Sequence, residues 1–269
     1  MDGLTLLKAF IMGIVEGTTE FLPVSSTGHL IIAGDLMNFM EGERRHAFDI
    51  FIQLGAMMAV VWEYRAKLLD MVFGSGRHQL LDILVAFIPA AIVGLIAGKT
   101  IQTHLFSPEV VAMAFILGGI AIIIVERFRP RPYINDLAKM TLPVALAIGF
   151  FQCLALIPGT SRSAATILGG MLMGLNRRAA TEFSFLVGVP TLGAASLYSL
   201  FKVRDQLSME DAGIFAVGFI AAFISAFFVI RALLKFVANH TFDAFAIYRI
   251  LFGLLILGVS SGGVINFSQ

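Results

Sequence analysis

The chain alternates long apolar stretches with short charged segments along its whole length. A helix that crosses a bilayer needs roughly 20 consecutive, mostly apolar residues. The charged segments between such stretches, for example 65–82 and 127–139, are predicted to be loops. Six stretches are long and apolar enough to be predicted as spanning helices: 47–64, 83–102, 109–126, 181–201, 212–234 and 244–264.

Two further apolar regions, about 4–36 and 141–174, are each interrupted near the centre by a proline and a group of polar residues. Each region is too long for one span and too short for two spans joined by a loop. Irregular backbone at membrane depth is tolerated where protein or a cavity surrounds it. We therefore predict two re-entrant helical hairpins, each of which enters the membrane, turns and leaves on the same side.

The order of these elements, a hairpin and three spans followed by a hairpin and three spans, divides a single membrane domain into two similar halves, 1–135 and 136–269. Because each half has an odd number of spans, the second half must be inserted upside down. The predicted fold is an all-α polytopic membrane protein with six transmembrane helices and two re-entrant hairpins in an inverted-topology repeat. The residues that match between the halves are Gly13 with Gly149, Glu16 with Gln152, Pro23 with Pro158, and Ser26 with Ser161.

Composition supports a membrane protein, because 58% of the residues are hydrophobic and only 14% are charged. Soluble domains have about one quarter charged residues. The net charge of +1 provides no basic surface for nucleic acid. The single cysteine, Cys153, excludes an internal disulfide and a cysteine metal cluster. The N-terminus has no basic leader with a cleavage site, so no removed signal peptide is predicted.

The positive charges are unevenly distributed between the two sides of the predicted fold. Lysines and arginines concentrate in 65–82, in 127–139 and at 177–178, and are fewer around 44–45 and 202–204. Cytoplasmic loops are the richer in these residues. The first set is therefore predicted to face the cytoplasm, which places both termini and the mouth of the first hairpin in the periplasm.

Two carboxylates lie close together just before the centre of the first hairpin. Glu16 and Glu20 are four residues apart, so on a helix they share one face. Two adjacent carboxylates in a low dielectric repel each other, and a divalent cation removes that conflict. Oxygen ligands favour Mg²⁺ or Ca²⁺. The alternative is a neutral carboxyl group hydrogen-bonded to backbone at a helix end, which accounts for one of the two residues.

Hydroxyl side chains begin the second helix of each hairpin, at Ser25, Ser26 and Thr27 and again at Thr160 and Ser161. Any one of them is explained by helix capping. Three in a row exceed what a cap needs, and a helix N-terminus also attracts an anion. Two such N-termini that converge near the middle of the membrane predict a site for phosphate or pyrophosphate.

Arg162 and His29 complete the polar residues of the two hairpins. Arg162 lies at a depth from which it cannot reach the membrane surface, and its planar group binds phosphate oxygens in pairs. The alternative is a structural ion pair with a glutamate. His29 follows Ser26 by one helical turn and is predicted to exchange protons with it. The alternative is a histidine satisfied within the core. Further candidates that lie in or near spans, either to pair with each other or to line a cavity, are Asp49, Gln53, Glu63, Glu182 and Arg249.

These residues resemble the signatures of a known family. Glu16 to His29 read E-G-T-T-E-F-L-P-V-S-S-T-G-H, and Pro158 to Ser163 read P-G-T-S-R-S. Both resemble the bacterial undecaprenyl-pyrophosphate phosphatases of the bacitracin-resistance type, and length and span pattern agree along the whole chain. The resemblance implies that the enzyme trims a C55 isoprenoid pyrophosphate to its monophosphate for reuse in cell-wall synthesis. It also implies a divalent metal, the inner membrane, and a site reached from the periplasm.

A mechanism follows from the resemblance. Glu16 and Glu20 hold the Mg²⁺ or Ca²⁺ ion, and Arg162 stabilises the charge of the transition state. Ser26 is the predicted nucleophile and His29 relays its proton. In the competing route a metal-bound water attacks directly, and Ser26 is only a ligand. The residues predicted to bind the substrate are Ser25, Thr27, Gly159, Thr160, Ser161, Arg162 and Ser163.

Two other classes of protein compete with this prediction. A transporter, or a flippase for the same lipid, uses inverted repeats and needs the same grip on the anion. The second lipid-phosphatase superfamily requires a histidine shortly after its Ser-Arg pair, but Ser161-Arg162 is followed by S-A-A-T-I-L, which excludes it. The predicted partners are the prenyl pyrophosphate and membrane lipid, and a homodimer is left open.

Overall fold

The protein is described by a computed structural model that covers residues 2–203 and 211–261. The regular elements of these ranges are helices, which confirms the predicted all-α class. Short 3-10 turns occur at Leu137–Lys139 and Leu154–Leu156. The helices are α1 Gly3–Thr19, α2 Ser26–Met37, α3 Gly42–Glu63, α4 Arg65–Phe73, α5 Arg77–Leu105, α6 Pro108–Phe128, α7 Leu142–Cys153, α8 Arg162–Leu172, α9 Arg177–Val203, α10 Ala212–Val237 and α11 Asp243–Ser261.

Five of these helices, α5, α6, α9, α10 and α11, are long and apolar enough to cross a membrane. The pair formed by α3 and α4 is bent by 72° and makes a sixth if it is one span. Large apolar side chains point outward from the helices, among them Leu95, Ile96 and Phe128, which are 75–81% exposed. Such a surface belongs to a multi-pass membrane protein. The end of the last predicted span, 262–264, lies outside the described residues, as does 204–210.

Helix α4 corrects one prediction. The charged residues 65–82 are predicted to be a loop, yet residues 65–73 form α4 and residues 77–82 begin α5. The helix before it ends where Tyr64 leaves helical geometry, with φ −98° and ψ 14°. The sequence R-A-K-L-L-D-M-V-F consists largely of good helix formers, and it buries Met71 against the core. Charged residues follow the apolar helix α3 here, but they do not end the helical structure.

Both predicted hairpin regions contain a helix break, where residues 20–25 and 154–161 are not α-helical. We use first break for residues 16–27 and second break for residues 152–163, so that each includes the adjoining turns of its two helices. Ser25 is the last non-α-helical residue of the first break, with φ 70° and ψ 102°, and Ser161 is the last of the second, with φ 75° and ψ 114°. Serine seldom adopts a positive φ unless the surrounding structure holds it there. The two breaks therefore enter their second helices with the same unusual backbone.

This backbone likeness changes the alignment of the two breaks. The sequence matched Ser26 with Ser161 because both are serines after a proline. The structure instead matches Ser25 with Ser161, since each is the residue with positive φ that precedes a helix. Ser26 then corresponds to Arg162, and Pro23 corresponds to Gly159 instead of the predicted Pro158. The match of Glu16 with Gln152 keeps the same spacing.

Close helix packing brings the breaks into the centre of the protein. Helix α1 lies along α10, and helix α7 lies along α5. A side chain at Gly13 of α1 would place its Cβ 2.8 Å from the Cβ of Ala221. A Cβ at Gly149 of α7 would lie 2.6 Å from the carbonyl oxygen of Ala86. These glycines allow each first helix to approach its neighbour closely, as small residues do in membrane bundles.

Candidate active site

The two breaks touch through a buried ion pair. Arg162 Nη2 donates a hydrogen bond to Glu20 Oε1 over 3.0 Å, and the two side chains are 8% and 7% exposed. A second link joins them where Ser163 Oγ donates to the carbonyl oxygen of Leu22 over 2.7 Å. The structure thus brings together residues from both signatures. Arg162 has the carboxylate partner that its burial requires.

Glu20 also accepts a hydrogen bond from Ser26. The distance from Ser26 Oγ to Glu20 Oε2 is 2.5 Å, at the short end of the range for a hydroxyl bound to a carboxylate. One carboxylate therefore bridges the hydroxyl group of α2 and the guanidinium group of α8. The Ser26 hydroxyl group points its proton at a base, which is the arrangement that activates a serine nucleophile.

Helix α9 also binds the guanidinium group of Arg162. Its Nη1 donates to the carbonyl oxygen of Ser184 over 2.7 Å, and Thr166 Oγ1 donates to Ser184 Oγ over 2.7 Å. The Phe21 ring lies 5.8 Å from the guanidinium carbon. Within the described residues, the buried Nε of Arg162 has no hydrogen-bond partner. The group is therefore held in place with one donor unsatisfied.

A cavity of about 450 Å³ opens beside this cluster. Glu20, Ser26 and Arg162 contribute to its wall. The predicted binding residues that line it are Ser25, Thr27, Gly159 and Ser161. Helices α5 and α9 supply a largely apolar wall that includes Phe87, Ala90, Leu95, Leu192, Ala195 and Tyr198. A ligand with an anionic head and an apolar chain matches these surroundings.

Thr160 and Ser163 are not among the cavity-lining residues. Ser163 Oγ is 3.0 Å from Ser161 Oγ, in addition to its bond with Leu22. Ser161 Oγ accepts a hydrogen bond from the backbone N–H of Ala164 over 3.2 Å, so it caps α8. These contacts stabilise the backbone of the second break next to Arg162.

Glu16 lies next to the cluster but does not line the cavity. Its side chain is completely buried, and within the described residues neither carboxylate oxygen has a hydrogen-bond partner. Its charged neighbours are Glu20, Asp49 and Arg162. A buried carboxylate without partners is costly unless a proton or a cation neutralises it. The orphaned oxygens therefore fit a cation held between Glu16 and Glu20.

His29 is placed differently from the arrangement predicted from its spacing. Its Nδ1 lies 2.7 Å from the carbonyl oxygen of Ser25, and its Nε2 lies 2.5 Å from the Tyr248 hydroxyl group. The ring stacks on Phe252 with centroids 4.5 Å apart. Both nitrogens are thus bonded to groups other than Ser26. In this arrangement His29 stabilises the backbone of Ser25 through its bond to the Ser25 carbonyl group.

The remaining polar residues of the spans have varied surroundings. Gln53 lines the cavity, and so do Gln152 and Thr191, which sequence reasoning did not single out as binding residues. A polar residue inside an apolar stretch is the signal that could have found Thr191. Glu63 and Glu182 form ion pairs with cations near the ends of helices, and Asp49 is next to Arg45. Arg249 pairs with none of these candidates and donates to backbone carbonyl groups instead.

Fold and site together define a multi-pass membrane protein with a buried polar cluster where two helix breaks meet. Residues 9–255 match the family model described as bacitracin resistance protein BacA. Undecaprenyl-diphosphatase 1 of Chromobacterium violaceum is 56% identical, over 98% of this chain and 99% of that protein. Undecaprenyl-diphosphatase of Cellvibrio japonicus (54%) and undecaprenyl-diphosphatase 2 of Rhodospirillum rubrum (51%) match over their full lengths. The chain belongs to the BacA family, which confirms the resemblance seen in its sequence.

Proposed function

We propose that the protein hydrolyses undecaprenyl pyrophosphate to undecaprenyl phosphate and inorganic phosphate. Relatives that match it from end to end carry the name of that activity. The observation that carries the proposal is the buried cluster of Glu20, Ser26 and Arg162 at the contact of the two breaks. The reaction returns the lipid carrier to cell-wall synthesis and accounts for the bacitracin resistance after which the family is described.

The proposed pose places the pyrophosphate at the breaks and the prenyl chain against the apolar wall. Arg162 and the N-termini of α2 and α8 supply positive charge to the phosphate oxygens. The wall formed by α5 and α9 accommodates the chain next to the headgroup. Only an amphipathic substrate would use both parts of the cavity.

A divalent cation fits the acid pair of the first break. Glu16 and Glu20 are the residues that would hold Mg²⁺ or Ca²⁺, since the oxygens of Glu16 are buried and unpartnered. Within the described ranges no group of three or more His, Cys, Asp and Glu side chains could hold a metal alone. The remaining ligands would be phosphate oxygens and water, as is usual for Mg²⁺. A bound cation supplies neutralisation of the pyrophosphate charge.

The proposed reaction begins at Ser26. Its Oγ attacks the terminal phosphorus, and its proton moves to Glu20 Oε2, to which it is already bonded. The bond between that phosphorus and the bridging oxygen breaks, and undecaprenyl phosphate leaves. Water then attacks the phosphorus of the phosphoserine. The bond from phosphorus to the Ser26 oxygen breaks, Glu20 returns its proton to that oxygen, and inorganic phosphate leaves with the oxygen and protons of the water. Arg162 stabilises the charge that develops on the phosphoryl oxygens. In the alternative route water attacks directly and Ser26 only orients the phosphate.

We also propose that the halves 1–135 and 136–269 form an inverted repeat with two re-entrant hairpins. The equal backbone angles of Ser25 and Ser161 support this arrangement. So does the exchange of packing partners, because α1 of the first half packs on α10 of the second and α7 of the second packs on α5 of the first. In such a repeat the two breaks meet near the middle of the membrane.

The proposed location is the bacterial inner membrane, with both termini and the active site on the periplasmic side. The cavity is lined by 87–95 of α5 and 191–199 of α9, toward the helix ends that carry Lys99 and Lys202. These ends belong to the side with fewer positive charges, which supports a periplasmic opening. Cysteine labelling of either terminus from outside intact spheroplasts would test the orientation.

The function is tested by phosphate release from a long-chain prenyl pyrophosphate with the detergent-purified protein. We expect release that EDTA abolishes and added Mg²⁺ or Ca²⁺ restores. Acid quenching during turnover followed by peptide mass spectrometry should find phosphate on Ser26. A folded protein that binds the lipid without releasing phosphate would refute the enzyme and favour a flippase that uses the same anion site.

A further inference from the structure

Arg249 of α11 is completely buried, and it forms no ion pair with a carboxylate in the part of the chain that the structure describes. Its guanidinium group donates hydrogen bonds to four backbone carbonyl oxygens instead. Burying an arginine without an anionic partner costs several kcal/mol. Such a residue inside a membrane bundle calls for a functional explanation.

Two of the four carbonyl groups belong to the two breaks. Arg249 Nη1 donates to the oxygen of Pro23 over 3.1 Å, and Nη2 donates to the oxygen of Gly159 over 3.0 Å. Pro23 lies two residues before Ser25, and Gly159 lies two residues before Ser161. One guanidinium group therefore binds the corresponding carbonyl group in both breaks. These oxygens lie where the helices are interrupted, so they need a donor from elsewhere in the bundle.

The other contacts attach Arg249 to helix α6. Its Nη2 donates to the carbonyl oxygen of Ala114 over 2.9 Å, and its Nε donates to that of Phe115 over 3.3 Å. Gly118 provides the space, since a Cβ there would lie 2.6 Å from the guanidinium carbon. Helices α6 and α11 pack along each other. The guanidinium group is thus held between two helices and connects both breaks to them.

We infer that Arg249 is a positioning residue that holds the two breaks at a fixed separation, so that Ser26 and Arg162 act on the same phosphoryl group. Ser26 follows Pro23 by three residues, and Arg162 follows Gly159 by three. Arg249 is not among the residues that line the cavity, so it acts through the breaks and not on the substrate. This inference rests on the proposed function.

Kinetics of Arg249→Met and Arg249→Lys would test the inference. Because a misplacement of about 1 Å costs roughly 100-fold in rate, we expect Arg249→Met to lower kcat by about that factor. KM should change little, since Arg162 and both helix N-termini still bind the pyrophosphate. Arg249→Lys should recover part of kcat because lysine keeps the charge and donates to some of the same carbonyl groups.

The matched control is Arg177→Met. Arg177 is partly buried, and its Nη2 donates to Glu126 Oε2 over 2.6 Å, but it has no hydrogen bond to either break among the described residues. We expect this variant to lower the melting temperature without changing kcat by more than a few-fold. If Arg249→Met lowered kcat only as much as Arg177→Met does at a similar loss of stability, Arg249 would be merely structural and the inference would fail.

Hydrogen exchange gives a readout that does not depend on activity. In Arg249→Met, peptides that cover 20–26 and 157–162 should both exchange faster than in the wild type and in Arg177→Met. Faster exchange at only one break, or at neither, would overturn the inference. If the wild-type protein released no phosphate but both breaks lost protection in Arg249→Met, the proposed function would fail while Arg249 still held the breaks together.

A gentler substitution covers the case in which Arg249→Met does not fold. Gly118→Ala pushes the guanidinium group from its place, whereas a Cβ at Gly98 of α5 meets nothing within 4 Å. We expect Gly118→Ala to lower kcat by roughly 10-fold or more, and Gly98→Ala to leave it unchanged. Equal activity in the two glycine variants would contradict the role of Arg249.

Discussion

The two breaks enter their second helices with nearly the same backbone angles but carry different functional groups. Ser25 and Ser161 adopt nearly equal positive φ angles at the same point before a helix. The side chains around that shared frame differ at three corresponding positions: Glu16 and Gln152, Glu20 and Leu156, Ser26 and Arg162. The first break thus carries the acids and the hydroxyl group, and the second carries the cation. The proposed reaction uses groups from both breaks, so it depends on their contact.

Glu16 and Gln152 occupy corresponding positions in the two breaks but differ in their hydrogen bonding. Gln152 is satisfied, since its Nε2 donates to the carbonyl oxygen of Ala86 over 3.3 Å and its Oε1 accepts from Thr191 over 3.3 Å. Glu16 occupies the corresponding position with no partner for either oxygen within the described residues. An amide that is satisfied internally supports structure, whereas an unpartnered acid fits a ligand.

The largest effect is expected from Ser26→Ala, which removes the hydroxyl group that is bonded to Glu20. We expect kcat to fall by at least about 1,000-fold with little change in substrate binding. Thr19→Ala is the control, because the Thr19 hydroxyl group bonds only to backbone of α1. Steady-state phosphate release measures both. Substantial turnover by Ser26→Ala would instead support direct attack by water.

The next largest effect is expected from exchanging the acid Glu16 and the amide Gln152. Glu16→Gln should lower kcat by about 100-fold and weaken the response to added Mg²⁺, because one carboxylate of the proposed pair is lost. Gln152→Glu should mainly lower the melting temperature by several degrees, since it places a carboxylate against the oxygen of Ala86. Metal titrations and thermal melts of both variants test this. A metal response that survives intact in Glu16→Gln would refute the role of Glu16.

Local patterns in the sequence predicted part of this comparison. Apolar length located the spans, and a proline with hydroxyl residues located both breaks, because these are features of neighbouring residues. Arg249 was visible as an arginine in a span, but its partners Pro23 and Gly159 are distant in sequence and offer only backbone oxygens. No side-chain pattern marks such partners. The match of Ser26 with Ser161 was based on residue type, whereas the match of Ser25 with Ser161 depends on backbone angles.

His29 gives a smaller test of the first break. Its nitrogens bond to the backbone carbonyl oxygen of Ser25 and to the hydroxyl group of Tyr248, whereas the Ser26 hydroxyl group is bonded to Glu20. We expect His29→Gln and Tyr248→Phe each to lower kcat by about 10-fold, through loss of support for Ser25. The hypothesis of a proton relay through His29 predicts a loss in His29→Gln far larger than in Tyr248→Phe. The pH profiles of kcat for the two variants separate these explanations.

The smallest effect is expected in the melting temperature when Ser25 or Ser161, the two serines with positive φ, is replaced by glycine. A positive φ costs a non-glycine residue on the order of 1 kcal/mol, so glycine should relieve strain at both positions. Ser161 also caps α8 through Ala164, whereas Ser25 forms no side-chain cap. Ser25→Gly should therefore raise the melting temperature, and Ser161→Gly should leave it nearly unchanged. A larger gain for Ser161→Gly would contradict this account of the breaks.

The central claim is that both breaks act on one pyrophosphate, and a double-mutant cycle on Glu20 and Arg162 tests it most directly. The measurement is kcat/KM for phosphate release by Glu20→Ala, Arg162→Ala and the double variant, with Glu63→Ala and Arg231→Ala, which break an ion pair away from the breaks, as the control cycle. If the two residues form one catalytic unit, each single change should cost about 1,000-fold, and the double variant should be no more than about 10-fold worse than either. Losses that simply multiply would show that the two breaks act independently and would contradict the account.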